Sequence, residues 1–250
     1  MAALRICPSV MSEPFPTPSL ENLRIPEWFV PFSLRWSAPE RMKAGYRRKL
    51  PHWRYEGGTY FVTFRLHDSL PPAIAEALHR EAAKWETTIA AERAAMDGQL
   101  SATTRKAHED FRREHFRNLE TQLDECHGSC LLRDATHRAI VQDALLHFQN
   151  ERCRVAAFVI MPNHVHALCQ PLPGWSLENL AGSWKKRTAD KINARLNREG
   201  RLWQPETHDR LIRDGEHLRR AVRYLTRNPQ KARLSTDEAT VWLSEEIMPP

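Results

Sequence analysis

Apolar positions along the chain recur with two periods, and the switches between them mark the expected elements. Thr59-Tyr-Phe-Val-Thr-Phe-Arg-Leu66 is rich in β-branched and aromatic residues, opens after Gly57-Gly58 and is closed by His67-Asp68-Ser69, which predicts a strand. From about 73 to 95, Ile74, Leu78, Trp85 and Ile89 recur at helical spacing. After a break at Asp97-Gly98, a second stripe runs through Phe111, Leu119 and Leu123, so a helical hairpin is expected between the first strand and the rest. Its many charges read as solvated helix faces and suggest no chemistry. Another helix is expected from about 134 to 149, on Ile140, Val141, Leu145, Leu146 and Phe148.

Val155 to Ile160 has the pattern of a buried strand, Met161-Pro-Asn163 of a turn, and His164 to Gln170 of a returning strand that ends before Pro171. Ser176 can cap a helix to about Asn197, with Leu177, Leu180, Trp184, Ala189 and Ile192 on one side and Gly200 as its stop. His208 to Arg213 reads as a short fourth strand. Asp214 then caps a helix through Leu218, Val222, Tyr224 and Leu225, which Asn228-Pro229 should terminate. This order predicts an α+β fold: a small antiparallel sheet of about four strands, ferredoxin/RRM-like, with helices packed on one face and an inserted helical hairpin.

Three regions follow. Residues 1–50 carry many prolines and then a basic run (Arg41, Lys43, Arg47, Arg48, Lys49), and are expected as a loosely ordered arm. Residues 51–235 form the main domain, with the insertion at about 72–128, and residues 236–250 a C-terminal tail. At 250 residues and 41% apolar, the chain can bury a substantial core. A formal charge of +6 favours a polyanionic partner, nucleic acid before an anionic membrane surface. No apolar run approaches the roughly 20 residues needed to cross a bilayer. Five scattered cysteines, with no signal-peptide pattern before them, fit a reducing cytoplasm. Cys126 and Cys130 flank His127, but no second Cys/His pair sits at zinc-finger distance, so free thiols are expected.

Candidate chemistry gathers in two places. Residues two apart on a strand share a face, so the imidazoles of His164 and His166 stand side by side and could share a metal ion, or simply line an exposed sheet face. Tyr224 and Asn228 are four apart, on one helical face, and could point a phenol and an amide oxygen at that ion. They could equally be a core tyrosine and a helix-ending asparagine. Trp184 and Trp203 suit core packing or stacking on unpaired bases.

Three segments together change the weight of these readings: Phe158-Val-Ile-Met-Pro-Asn-His-Val-His-Ala-Leu168, Leu202-Trp-Gln-Pro205 and Arg223-Tyr-Leu-Thr-Arg-Asn-Pro-Gln-Lys-Ala232. In order and spacing the chain resembles the HUH single-tyrosine transposases, and within them the REP-associated tyrosine transposase group, over the first strand and roughly residues 130 to 234. The resemblance implies that His164, His166 and Asn228 hold a divalent ion, Mg²⁺ or Mn²⁺, and that Tyr224 is the nucleophile. It implies a nuclease and strand-transferase acting on single-stranded or hairpin DNA through a 5′-phosphotyrosine, with no nucleotide cofactor. Lys231-Ala-Arg233 departs from the pattern where relatives commonly carry a glycine, so a different turn is expected after the tyrosine helix.

Lys185, Lys186, Arg187, Arg213, Arg220, Arg223, Arg227 and Lys231 suit phosphate contacts around this machinery. His208 is a candidate to assist the tyrosine, whose ordinary pKa near 10 makes it a poor nucleophile. A homodimer is left open. The rival reading is a non-catalytic nucleic-acid-binding module on the same fold. A zinc hydrolase lacks a His-Glu-x-x-His helix.

Overall fold

In the computed structural model the described residues are Phe15 and residues 22–32, 42–43, 54–55 and 57–248. The main sheet has five antiparallel strands: β1 (Tyr60–Arg65), β2 (Cys153–Ile160), β3 (His164–Pro171), β4 (His208–Leu211) and β5 (Thr240–Leu243), in the order β4-β1-β3-β2-β5. Five helices accompany it: α1 (Pro72–Ala95), α2 (Ala102–Asp124), α3 (Ala135–Leu146), α4 (Leu177–Arg195) and α5 (Gly215–Lys231). A separate two-residue ladder pairs Met42–Lys43 with Arg54–Tyr55.

The α+β class and antiparallel sheet agree with the expectation, with five strands in place of about four. The added strand comes from residues 236–250, expected as a tail. Thr240–Leu243 pairs with Ala157–Ile160; its Thr, Val and Trp favour a strand, but the run is only four residues long and half-buried throughout, without the alternation that marks a sheet face.

The helices also divide between both faces rather than packing on one. Every residue of β1 is buried, which requires cover on both sides of the sheet. On one face Tyr60, Val62, Phe64, Val165 and Ala167 pack with Val141 and Leu145 of α3 and Leu180, Trp184 and Ile192 of α4. On the other, Phe61, Val159 and Leu168 pack with Leu218, Ala221, Val222 and Leu225 of α5. Most of residues 1–50 lie outside the described residues. Of those described, Phe15, Leu23 and Phe29 are buried in this second core.

Local chemistry sets the helix ends. The Asp134 carboxylate accepts from the Thr136 amide at 2.7 Å, Ser176 from Asn179 at 3.1 Å, and Asp214 from His217 at 2.7 Å, each satisfying an orphan donor of a first turn. At the end of α5 the expectation fails, because Pro229 lies inside the helix. The helix closes beyond it: the Leu234 amide donates to the Pro229 carbonyl at 2.9 Å and the Arg233 amide to the Gln230 carbonyl at 3.0 Å, a Schellman pair. Arg233 holds the left-handed position with φ of 56°, so the turn usually given to glycine is made without one.

Candidate active site

β3 is flanked by β1 and β2, so its side chains are fixed from both sides. Register pairs His166 with Thr63 and with Val159, and His164 with Arg65. The face carrying Phe61 and Thr63 therefore also carries both histidines, and α5 packs on this face. Neither histidine has measurable exposure.

The outer ring nitrogens are tethered. Asn163 donates from Nδ2 to the Leu123 carbonyl at 3.2 Å and to the His127 carbonyl at 3.4 Å, which leaves its Oδ1 to accept from His164 Nδ1 at 2.8 Å. His164 is thereby set with its proton on Nδ1 and its Nε2 lone pair facing inward. Thr63 Oγ1 is hydrogen-bonded to His166 Nδ1 at 2.8 Å. The two inner nitrogens, His164 Nε2 and His166 Nε2, lie 3.1 Å apart. Burial, with His166 beside it, pushes His164 down to about 3, so it stays neutral.

α5 brings Tyr224 to this pair, its ring centroid 5.6 Å from that of His166 and 5.8 Å from that of Phe61. Asn228, one turn on, is buried. It interacts with His164 and Tyr224, yet both polar atoms of its side chain lack a hydrogen-bond partner of good geometry. The two sequence motifs thus meet at one place.

A further group, given no role by sequence reasoning, stands between them. Glu120 of α2 accepts a hydrogen bond from the Tyr224 hydroxyl and places Oε2 3.1 Å from His166 Nε2, while its Oε1 is buried without a partner. Burial pushes this carboxyl up, but His166, His164 and Tyr224 together outweigh it and hold it at about 2. Burial and the adjacent carboxylate push the Tyr224 phenol well above the usual range for tyrosine. A signal was present: Phe116, Leu119, Glu120 and Leu123 follow helical spacing, so an acid interrupts an apolar stripe.

Asp124, a turn beyond, pairs with Lys231 at 2.6 Å and ties α2 to α5. Leu119 and Leu123 pack with Leu70 at the hairpin's base. His208 lies beside Thr63, two strands from His166, half-buried and lowered to about 4 by burial and then Arg65. Glu120, rather than His208, accepts from the tyrosine.

The basic residues separate into two groups. Arg213 precedes α5, Arg220, Arg223 and Arg227 lie on its outward side, and all four are exposed; Arg220 also pairs with Glu216 at 3.4 Å. Lys185, Lys186 and Arg187 sit on α4, which covers the opposite face of the sheet. Lys185 donates to the Gln204 and Pro205 carbonyls at 2.7 and 2.8 Å, and Lys186 pairs with Asp190 at 2.9 Å. Trp184 and Trp203 are core residues, the latter donating from Nε1 to Thr188 Oγ1 at 2.8 Å. Cys126 and Cys130 are free thiols.

A divalent ion is implied by the motif resemblance. Among the described residues no group of three or more His, Cys, Asp or Glu side chains is arranged to hold a metal ion as the side chains stand; these imidazoles and the carboxylate bond to one another. Their chemistry nonetheless fits an ion. Octahedral ligands at about 2.1 Å lie about 3 Å apart, close to the separations found here, and Asn228 is a buried amide in need of partners.

Residues 135–211 match the family model of IS200-like transposases, a stretch from α3 to β4 that includes both histidines. The resemblance read from the motifs is thus supported over that stretch. No curated protein matches the chain. Among solved structures, a REP-associated tyrosine transposase bound to a REP hairpin is similar at 16% identity and a TM-score of 0.41, covering 76% of this chain and 74% of that one. Among the described residues, no helix is long and apolar enough to cross a membrane.

Proposed function

We propose that this protein is a metal-dependent single-strand DNA endonuclease and strand-transferase of the transposase type, acting on hairpin DNA. The observation that carries the reading is the convergence of Tyr224 on the paired Nε2 atoms of His164 and His166, from an element remote in sequence.

His164, His166 and Asn228 would hold Mg²⁺ or Mn²⁺. When bound, the ion polarises the scissile phosphate and stabilises charge on the departing 3′ oxygen. Asn163 and Thr63 keep the imidazoles oriented. The Tyr224 oxygen attacks phosphorus, the P–O3′ bond breaks, and a 5′-phosphotyrosine and a 3′-OH result. The hydrogen bond to Glu120 orients the phenol toward the histidines; the phenol proton passes to solvent as the oxygen attacks, and the departing 3′ oxygen takes one up. Attack by another 3′-OH on the phosphotyrosine reseals the strand and returns a proton to Tyr224, so no nucleotide is consumed. The exposed arginines Arg213, Arg220, Arg223 and Arg227 are suited to phosphate contacts.

The test is incubation with labelled single-stranded hairpin DNA and Mg²⁺ or Mn²⁺. A covalent adduct with wild type, lost in Tyr224→Phe, is expected. DNA binding with no adduct under any metal condition would replace this reading with a non-catalytic binding module.

A further inference from the structure

We propose that Glu120 is a direct ligand of the divalent ion, so that the inserted hairpin completes the metal centre. The inference rests on the metal-dependent reading above and extends its ligand set of His164, His166 and Asn228.

Three observations carry it. The first is geometric: Glu120 Oε2 lies as far from His166 Nε2 as His164 Nε2 does, 3.1 Å in each case, the spacing of neighbouring donors around one hard ion. The second is energetic. Glu120 is 4% exposed on an apolar stripe, Oε1 has no hydrogen-bond partner, and the nearby Lys231 is paired with Asp124. Oε2 is already met by His166 and Tyr224, so what the carboxylate lacks is a partner for the buried Oε1, which coordination to a divalent ion would supply. The third is chemical. Two imidazoles and an amide are neutral donors, whereas Mg²⁺ and Mn²⁺ favour anionic oxygen.

The position is also held in advance. Leu119 and Leu123 are packed, the Leu123 carbonyl accepts from Asn163, and Asp124 is ion-paired to α5. One residue, Asn163, therefore fixes both His164 and the helix end that carries Glu120.

Mn²⁺ binding to the full chain without DNA, followed by electron paramagnetic resonance of the free ion, tests this. Glu120→Gln keeps the side chain's shape and is expected to weaken binding at least about tenfold, with His164→Ala as the reference loss. Wild-type affinity in Glu120→Gln, with binding lost in His164→Ala, would overturn the role of Glu120 and leave the metal-dependent reading intact. No specific binding by wild type, or equal binding by all three proteins, would remove both. A crystal of the wild-type protein soaked in Mn²⁺ gives a check independent of any variant's folding. A Glu120 oxygen bonded to the ion supports the proposal, and its absence from the ion's ligands refutes it.

Discussion

The Tyr224 hydroxyl donates to Glu120, and this hydrogen bond joins α5 to an inserted hairpin whose sequence shows no resemblance to the motifs around it. The phenol oxygen is thus held beside the histidines, where the proposed reaction would need it. Tyr224→Phe removes that oxygen and little else, because His166 still faces the Glu120 carboxylate. Adduct formation should fall by at least about a thousandfold, while the unfolding midpoint moves by less than about 2 °C. A large loss of stability would show that the phenol serves the fold first.

Asn163 sets the His164 ring through its Oδ1. Asn163→Ala leaves His164 Nδ1 without its partner and removes one donor from each of the Leu123 and His127 carbonyls. Mn²⁺ affinity should weaken about 10–100-fold. Stability should fall by about 1–3 kcal/mol, read from denaturant unfolding. Unchanged metal affinity would mean that His164 needs no external orientation.

Arg233 makes a left-handed turn that suits glycine. Arg233→Gly removes the conflict between Cβ and the backbone at the cap of α5 and should stabilise the protein by about 1 kcal/mol. The melting temperature should rise by about 2–4 °C. A fall would indicate that the arginine side chain contributes more than its backbone costs.

Acid should destabilise the protein through His164, which is buried, and through His208 and His217, which are half-buried. Burial, with neighbouring cations at the second and third sites, holds His164 near about 3 and His208 and His217 near about 4, against an ordinary value of 6.5. Below pH 6.5 the unfolded chain binds protons at these sites that the folded chain refuses, so stability is full above that value and is lost as pH falls toward 4. Glu120, held at about 2 against 4.5, extends the loss in the same direction between those values. Thermal melts from pH 7.5 to 4 should show a steadily falling midpoint. A flat profile would contradict the burial of these rings.

Much of this was legible in the chain because the relevant signals are local. Alternation and turn residues located β1, β2 and β3; the Asp134, Ser176 and Asp214 caps marked helix starts; and the spacing of His164 with His166 and of Tyr224 with Asn228 assigned each pair to one face. What escaped depended on distant partners. Thr240–Leu243 is short, and its pairing with the edge of β2 joins segments about 80 residues apart. Pro229 stays helical because the cap lies beyond it. The bonds of Lys185 to the Gln204 and Pro205 carbonyls were likewise out of reach, because those partners are separated from it in sequence. Glu120 falls on the apolar stripe of Phe116, Leu119 and Leu123, but which groups it meets there depends on β3 and α5, remote in sequence.

The central place of β3 bears on exchange with solvent. Amides of His164 to Leu168 are held by strands on both sides and should open only with global unfolding, whereas the end of α2 is held by a few side-chain contacts and can open at smaller free energy. Hydrogen exchange should therefore separate a slow floor from a fast wall of the same site. The two imidazoles would then keep their places while the hairpin side of the site opens.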